Sequence, residues 1–192
     1  MRDSLKFTIK NPNLLAENLS FCIARFDYGI LLRGKDLLHI PETDISGRFD
    51  LLAGLGAISV CNPSKSHFDN LSESLKQNDW MLGYLSYDLK NELEDLTSGN
   101  YDGLGFPELF FFQPKILLTV ESNILTVSYY ENITGKDDIE ALVKELFSEK
   151  KKDPTFQKDI VFKLRYSRQE YLDTINQVKS HIARGDIYEM NL

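Results

Sequence analysis

The chain has 192 residues, of which 42% are hydrophobic and 27% are charged, and its formal net charge is −7 at pH 7. This length suffices for one large domain whose core buries roughly 70% of the unfolded surface. Nucleic acid is not expected as a partner, because phosphate backbones attract clustered cations and the chain offers only the short run Lys150–Lys152.

The sequence also argues against a membrane span and an oxidising compartment. Its longest apolar run, Leu51–Cys61, is about half of the roughly 20 residues that a membrane helix needs. The two cysteines, Cys22 and Cys61, have no C-x-x-C spacing, and the charged start Met1–Asp3 does not resemble a signal peptide. We therefore expect no membrane association and a cytoplasmic location.

In chain order, the first half favours strands. Residues 21–34 are rich in β-formers and end in a turn, and residues 48–60 are almost continuously apolar, as in a strand buried on both faces. Residues 81–89 alternate aromatic positions with glycine and serine. Between these strands, residues 68–78 predict a short helix, whose apolar face carries Phe68, Leu71 and Leu75.

The clearest strand signal is a hairpin over residues 115–131, where two alternating β-branched runs flank a Glu-Ser-Asn turn. Residues 108–114 predict a strand that ends at Pro114, because proline cannot donate to a hydrogen-bond ladder. A helix over 137–150 follows the hairpin, with Asp137 as its N-cap. Its apolar stripe consists of Ile139, Leu142, Val143, Leu146 and Phe147.

The pattern divides the chain into a β-rich subdomain over residues 1–150, a polar connector over 151–166, and a last portion over 167–192. In the last portion, Ser167 and Glu170 predict a capping box. The helix they open runs to residue 184, where a following Gly185 ends it. Its stripe is formed by Tyr171, Ile175, Val178 and Ile182.

From Ile187 the apolar period changes to two, which predicts the start of a strand. The neighbours of such a strand would lie after residue 192. We therefore expect the last portion to be truncated, and the chain by itself to be inactive and prone to associate through this end.

The titratable residues do not form a self-contained catalytic set. The acidic group Glu92, Glu94 and Asp95 lies in a polar stretch after a strand, which favours a solvated surface. The histidines are widely spaced, and His181 is interpreted as a packing or surface residue. Neither histidines nor cysteines have the spacing of a metal site. Pattern alone thus indicates a mostly β domain with flanking helices.

Three stretches together resemble a known family. RFDLLAGLGA at 48–57, GYLSYDLKNELE at 83–94 and YLDTINQVKSHIARGDIYEMNL at 171–192 are similar to segments of the chorismate-utilising enzymes. Within that family the order and spacing resemble component I of aminodeoxychorismate synthase and of anthranilate synthase. The resemblance covers about the first two-fifths of such an enzyme.

The ending distinguishes the branches of the family. Aminodeoxychorismate synthases tend to read Gly-Asp-x-Tyr-Gln-x-Asn-Leu, and Tyr188, Asn191 and Leu192 match this pattern. Glu189 stands where glutamine is usual, and a carboxylate on a buried strand would need a partner. The resemblance therefore implies amination of chorismate to 4-amino-4-deoxychorismate for p-aminobenzoate and folate synthesis, with anthranilate synthase component I as the alternative.

The resemblance implies an α+β fold in which antiparallel β-sheets pack face to face with helices outside, incomplete here at the C-terminus. It implies ammonia from a glutamine amidotransferase subunit or domain, and Mg²⁺ that holds the carboxylate of chorismate. The family's metal ligands and catalytic residues would all follow residue 192, so the chain itself contains neither. A hypothesis of another class is a non-catalytic module that binds an amino acid or docks a partner.

One family site falls within the chain. Many members bind tryptophan, and the corresponding positions here are Gly34, Ser46, Gly47, Arg48 and Phe49. A serine is usual where Gly34 stands, so the hydroxyl that it offers the amino acid is missing. The simpler interpretation is that these positions form two turns, because glycine and serine dominate turns for backbone reasons.

Overall fold

The computed structural model describes residues 1–34, 49–94, 96, 97, 99, 101–149 and 162–191. The chain divides into two compact units, Met1–Lys152 and Asp153–Leu192. Most of the expected connector over 151–166 lies outside the described residues. No helix in the described ranges is long and apolar enough to cross a membrane.

The first unit combines one antiparallel sheet with flanking helices. Its strands are β1 Asp3–Thr8, β2 Gly29–Arg33, β3 Leu51–Cys61, β4 Leu82–Leu85, β5 Leu109–Glu121 and β6 Ile124–Tyr129. Its helices are α1 Pro12–Ile23, α2 His67–Leu75, α3 Lys90–Leu93 and α4 Lys136–Leu146, with a 3-10 turn Tyr87–Leu89 before α3. The strand order is β1-β6-β5-β3-β2, and β4 pairs with β5. The predicted α+β class with antiparallel strands is confirmed.

The central strand is β5, which runs through Pro114. It pairs with β3 along its length, while β4 and β6 share its other side. The prediction that the strand ends at Pro114 is wrong, because Pro114 falls where the ladder is interrupted. One side lies between the start of β4 and the end of β6, and the other lies beside a register shift in β3. The missing N–H therefore costs little.

The predicted hairpin over 115–131 is confirmed as β5 and β6. The turn residues Ser122 and Asn123 have φ of 50° and 64°. Positive φ at both central residues is the geometry of a type I′ turn, whose twist matches that of the strands.

The first 28 residues differ most from the sequence interpretation. Residues 21–23 belong to α1 and not to a strand, so the strand predicted from residue 21 begins only at Gly29. Asn11 caps α1 by accepting the N–H of Leu14 at 3.0 Å, and Pro12 occupies the first helical position. Both are ordinary start signals of a helix.

The main core lies between the sheet and two helices, α1 and α4. Leu15 and Leu19 of α1 are buried there with Ile139, Val143 and Leu146 of α4, as the apolar stripe predicted. Helix α4 begins after Gly135, so the predicted cap Asp137 lies in its first turn.

A smaller cluster lies under α2 and α3. Its buried residues are Cys61, Leu89 and Leu109, and Leu71 of α2 packs against it. The other two residues of the predicted apolar face of α2, Phe68 and Leu75, are exposed.

The second unit contains α5 Arg168–Arg184, with the predicted capping box between Ser167 and Glu170. Gly185 follows in the left-handed conformation with φ of 80°. No residue of α5 is buried, so its apolar stripe lies at the surface of the described unit. The predicted strand from Ile187 is wrong for residues 187–191, which have no strand conformation. A strand needs a hydrogen-bonded neighbour, and this unit supplies none among its described residues.

Candidate functional site

Two of the five residues predicted to bind tryptophan are described, and they lie next to each other. Gly34 follows β2, and its N–H donates to the carbonyl oxygen of Asp50 at 2.7 Å. A Cβ at position 34 would lie 2.6 Å from the carbonyl oxygen of Phe49, so the two backbone segments leave no room for a side chain. The other three positions lie outside the described residues: Ser46, Gly47 and Arg48.

The Phe49 ring packs into an apolar cluster formed by Leu52, Leu82, Phe112 and Leu117. No residue of a described helix belongs to this cluster. The Trp80 ring lies 5.9 Å from the ring of Phe49 and is 39% exposed. The structure thus places a protein indole beside one residue of the predicted tryptophan pocket.

An aromatic row extends from this cluster and consists of Tyr28, Tyr84, Phe106, Phe110 and Phe112. The ring of Phe110 stacks on Tyr28 at 5.7 Å and on Tyr84 at 6.1 Å. Phe106 meets Tyr84 edge-on at 6.2 Å, and 67% of Phe106 is exposed. Stacked and edge-on pairs are the favourable arrangements of aromatic rings. Such a row offers a surface for apolar groups.

A buried ion pair lies at the gap between β4 and β6 on one side of β5. The carboxylate of Asp79 accepts Nε of Arg2 at 2.9 Å and Nη2 of Arg2 at 2.8 Å. It also accepts the side-chain amide of Gln113 at 2.7 Å and the hydroxyl of Tyr130 at 2.9 Å. Burial disfavours the charged carboxylate, but these hydrogen bonds outweigh it and hold the pKa of Asp79 well below its usual range.

Arg2 also satisfies the backbone at this interruption of the ladder. It donates to the carbonyl oxygens of Pro114 at 2.6 Å and Lys115 at 3.3 Å, and its guanidinium lies 4.6 Å from the ring centre of Tyr130. An open cavity of about 740 Å³ adjoins the pair. Sequence reasoning missed this cluster, because Arg2 and Asp79 are 77 residues apart and no local pattern connects them.

A second charged cluster surrounds His67, the first residue of α2. Its Nδ1 lies 2.5 Å from a carboxylate oxygen of Glu92, and its Nε2 lies 3.6 Å from a carboxylate oxygen of Glu108. The hydrogen bond from His67 lowers the pKa of Glu92, and the backbone N–H of His67 adds to this effect. Glu92 is exposed, as the solvated-surface interpretation predicts, but its carboxylate contacts the buried His67. Glu94 is exposed, and Asp95 lies outside the described residues.

His181 is a surface residue, as expected. Its Nδ1 lies 2.8 Å from the carboxylate of Asp186, which also accepts Nη2 of Arg184 at 2.7 Å. Within the described ranges, no group of three or more His, Cys, Asp or Glu residues is arranged to hold a metal ion. The resemblance places the ligands of Mg²⁺ after residue 192, outside the described residues.

Comparison with known proteins gives a family match and two relatives. A sequence model of chorismate binding enzymes matches residues 46–192. An anthranilate synthase component I-like protein of Synechocystis sp. is 24% identical over 147 residues, which cover 74% of this chain and 29% of that protein. Anthranilate synthase component 1 of Thermus thermophilus is 28% identical over 128 residues, which cover 58% of this chain and 26% of that protein. The chain thus spans less than a third of the length of these relatives.

Proposed function

Because the chain belongs to the family of chorismate-binding enzymes, we propose that it forms part of an enzyme that aminates chorismate. The observation that carries this proposal is the family match over residues 46–192. Since the chain spans less than a third of its relatives, the groups that act on chorismate are proposed to lie in the remainder of the enzyme.

The helix-free surface around Phe49 and the aromatic row supports this proposal. The resemblance implies a fold with two sheets packed face to face, and the exposed apolar side chains of this region, such as Trp80 and Phe106, are what a second sheet would cover. This surface is therefore the proposed contact with the rest of the enzyme.

The proposed product is 4-amino-4-deoxychorismate, a precursor for p-aminobenzoate and folate. Tyr188 and Asn191 support this branch because they match its ending pattern. The second candidate is the synthesis of anthranilate, which is favoured by the names of both relatives. In either branch, Mg²⁺ bound outside the described residues, a glutamine amidotransferase partner and a cytoplasmic location belong to the proposal.

The test uses the product of the complete reading frame with chorismate, Mg²⁺ and ammonia, and separates the products by chromatography. Formation of 4-amino-4-deoxychorismate supports the proposed branch, and formation of anthranilate establishes the second candidate. The 192-residue chain serves as the control and is expected to form neither. If the complete enzyme leaves chorismate unchanged, amination is wrong and the non-catalytic module becomes the better hypothesis.

A further inference from the structure

The sheet of the first unit has two unlike faces. Successive side chains of a strand point to opposite faces, and α1 and α4 pack on one of them. The strand residues buried on that face alternate along the sequence: Leu51, Ala53, Leu55, Leu118, Val120, Leu125 and Val127. The residues between them lie on the opposite face, where the buried cluster contains no residue of a described helix. We call this opposite face the open face.

The strand register divides the open face into rows that cross the sheet. Residues directly opposite each other in neighbouring strands have side chains on the same face. One row runs from β2 to β1 through Leu32, Leu52, Thr119, Thr126 and Lys6. The next row runs in the same direction through Ile30, Gly54, Leu117, Ser128 and Ser4. Both rows thus begin with apolar residues on β2 and end with hydroxyl or charged residues on β6 and β1.

Exposure follows the same division. The apolar part of the open face exposes five large side chains: Tyr28, Leu32, Val60, Trp80 and Phe106. Val60 belongs to this part because it lies opposite Phe112, a residue of the buried cluster. At the other end, the exposed residues are Ser4 and Lys6, for which water is a sufficient partner. Contiguous exposed apolar side chains mark a surface that contacts other protein.

The apolar part calls for a partner surface that is itself apolar. Lys6 is the only ionisable residue of the two rows, and it lies at the far end from Leu32. The two relatives are much longer than their matched parts, which are 29% and 26% of their lengths. We propose that the remainder of the enzyme covers the open face over β2, β3, β4 and β5, and that its contact ends before β6 and β1. This inference rests on the proposed function and adds the boundary of the contact.

The boundary follows from the free energy of burying each end of a row. Burial of Leu32 against an apolar layer is favourable in proportion to the area removed from water. Burial of Lys6 requires a compensating charge, and burial of Thr126 and Ser128 requires new hydrogen-bond partners. A contact that stops at β5 therefore covers the apolar side chains and leaves the polar ones hydrated.

The experiment introduces one cysteine at either end of the first row of the complete protein, as Leu32→Cys or as Lys6→Cys. Both positions are exposed on edge strands of the described sheet, whereas the native Cys22 and Cys61 are buried. Alkylation by iodoacetamide is timed in the folded and the urea-unfolded protein, and peptide mass spectrometry locates each label. The two positions should react alike in urea. In the folded protein, position 32 should react at least about tenfold more slowly than position 6, because a covered thiol reacts only through local opening.

Val60→Cys and Ser4→Cys form a second pair, which keeps the test decisive if a variant at position 32 does not fold by circular dichroism. Similar rates at the two ends of the folded protein would overturn the proposal, whether both are fast or both are slow. Protection of position 32 that disappears on dilution would also overturn it, because a second copy then covers the face. Chorismate consumption is measured on the same samples. If chorismate is unchanged and position 32 alone is protected, amination is wrong and the contact stands.

Discussion

The two halves of β5 are held by different forces. The half around Leu118 lies in a cluster to which α1, α4 and three strands contribute buried apolar residues. The half around Leu109 has three buried residues in its own cluster and lies beside an ion pair between His67 of α2 and Glu108, the residue before β5. The junction near Pro114 is held by the ion pair of Arg2 and Asp79.

The difference indicates that charged side chains contribute to stability where a small domain buries little apolar area. Apolar burial stabilises in proportion to area and does not depend on pH. Where the buried apolar area is small, as around Leu109, a carboxylate that hydrogen-bonds to His67 helps to hold α2 in place. The smaller half should therefore be the pH-sensitive one and the larger half the more sensitive to lost volume.

Truncation of one leucine in each half tests the comparison most strongly. Leu118→Ala should lower the free energy of unfolding near the upper end of roughly 2–5 kcal/mol, and Leu109→Ala near its lower end, because the small cluster collapses more easily. Both leucines are fully buried, so the chemistry removed is the same. Urea unfolding, followed by the fluorescence of Trp80 and by circular dichroism, measures both. An equal or larger loss for Leu109→Ala would contradict the comparison.

The junction is tested by Arg2→Met, which leaves the buried carboxylate of Asp79 without its cation. Removing one partner of a buried ion pair costs about 3–5 kcal/mol. Arg25→Met is the matched control, because Arg25 pairs with Glu145 and the two side chains are 50% and 38% exposed. An exposed pair contributes about 0–1 kcal/mol. If the two variants lose similar amounts of the free energy of unfolding, the buried ion pair at the junction stabilises the fold no more than the exposed pair does.

Acid sensitivity of the smaller half is tested by Glu92→Gln. Its hydrogen bonds with His67 lower the pKa of Glu92, so the ionised form stabilises the fold above the ordinary carboxyl range. That contribution is lost as pH falls through the lowered pKa. The variant should be less stable than wild type at pH 6, and the difference should shrink toward pH 3.

Glu94→Gln is the control for this experiment, because Glu94 is exposed and lies two residues from Glu92. The difference in the free energy of unfolding between Glu94→Gln and wild type should stay constant over the same pH range. If the difference between Glu92→Gln and wild type is also constant with pH, Glu92 does not stabilise α2 in the way its contacts indicate.

The elements that the sequence predicted well carry their signals locally. The hairpin turn at Ser122–Asn123 and the capping box at Ser167 depend on neighbours within a few residues. Helix α1 was detectable in the same way, from Asn11 and Pro12, and its omission was an error of interpretation. The strand through Pro114 was not detectable, because it depends on which partner strands happen to end beside it.

The charged clusters could not be predicted, because they depend on distant partners. His67 and Glu92 are 25 residues apart, and Arg2 and the carbonyl of Pro114 are 112 apart. No periodicity connects such positions, and each residue alone is typical of a surface. The residues of the charged clusters come together only when β5 pairs with β3, β4 and β6.

The smallest expected effect concerns tryptophan at Gly34. The resemblance places a serine here, and a lost hydrogen bond to a charged group costs roughly 1.5–3 kcal/mol, about ten- to a hundredfold in affinity. Calorimetric titration of tryptophan into the chain should therefore give weak or no binding.

Gly34→Ser should not restore tryptophan binding, because the new Cβ would meet the carbonyl oxygen of Phe49 at 2.6 Å. Overpacking of this kind lowers stability by about 1–3 kcal/mol. Gly99→Ser is the control, since a Cβ there has no neighbour within 4 Å. Micromolar binding by the wild-type chain would contradict this account, and recovery of binding in Gly34→Ser would show that the backbone at Phe49 yields to a side chain.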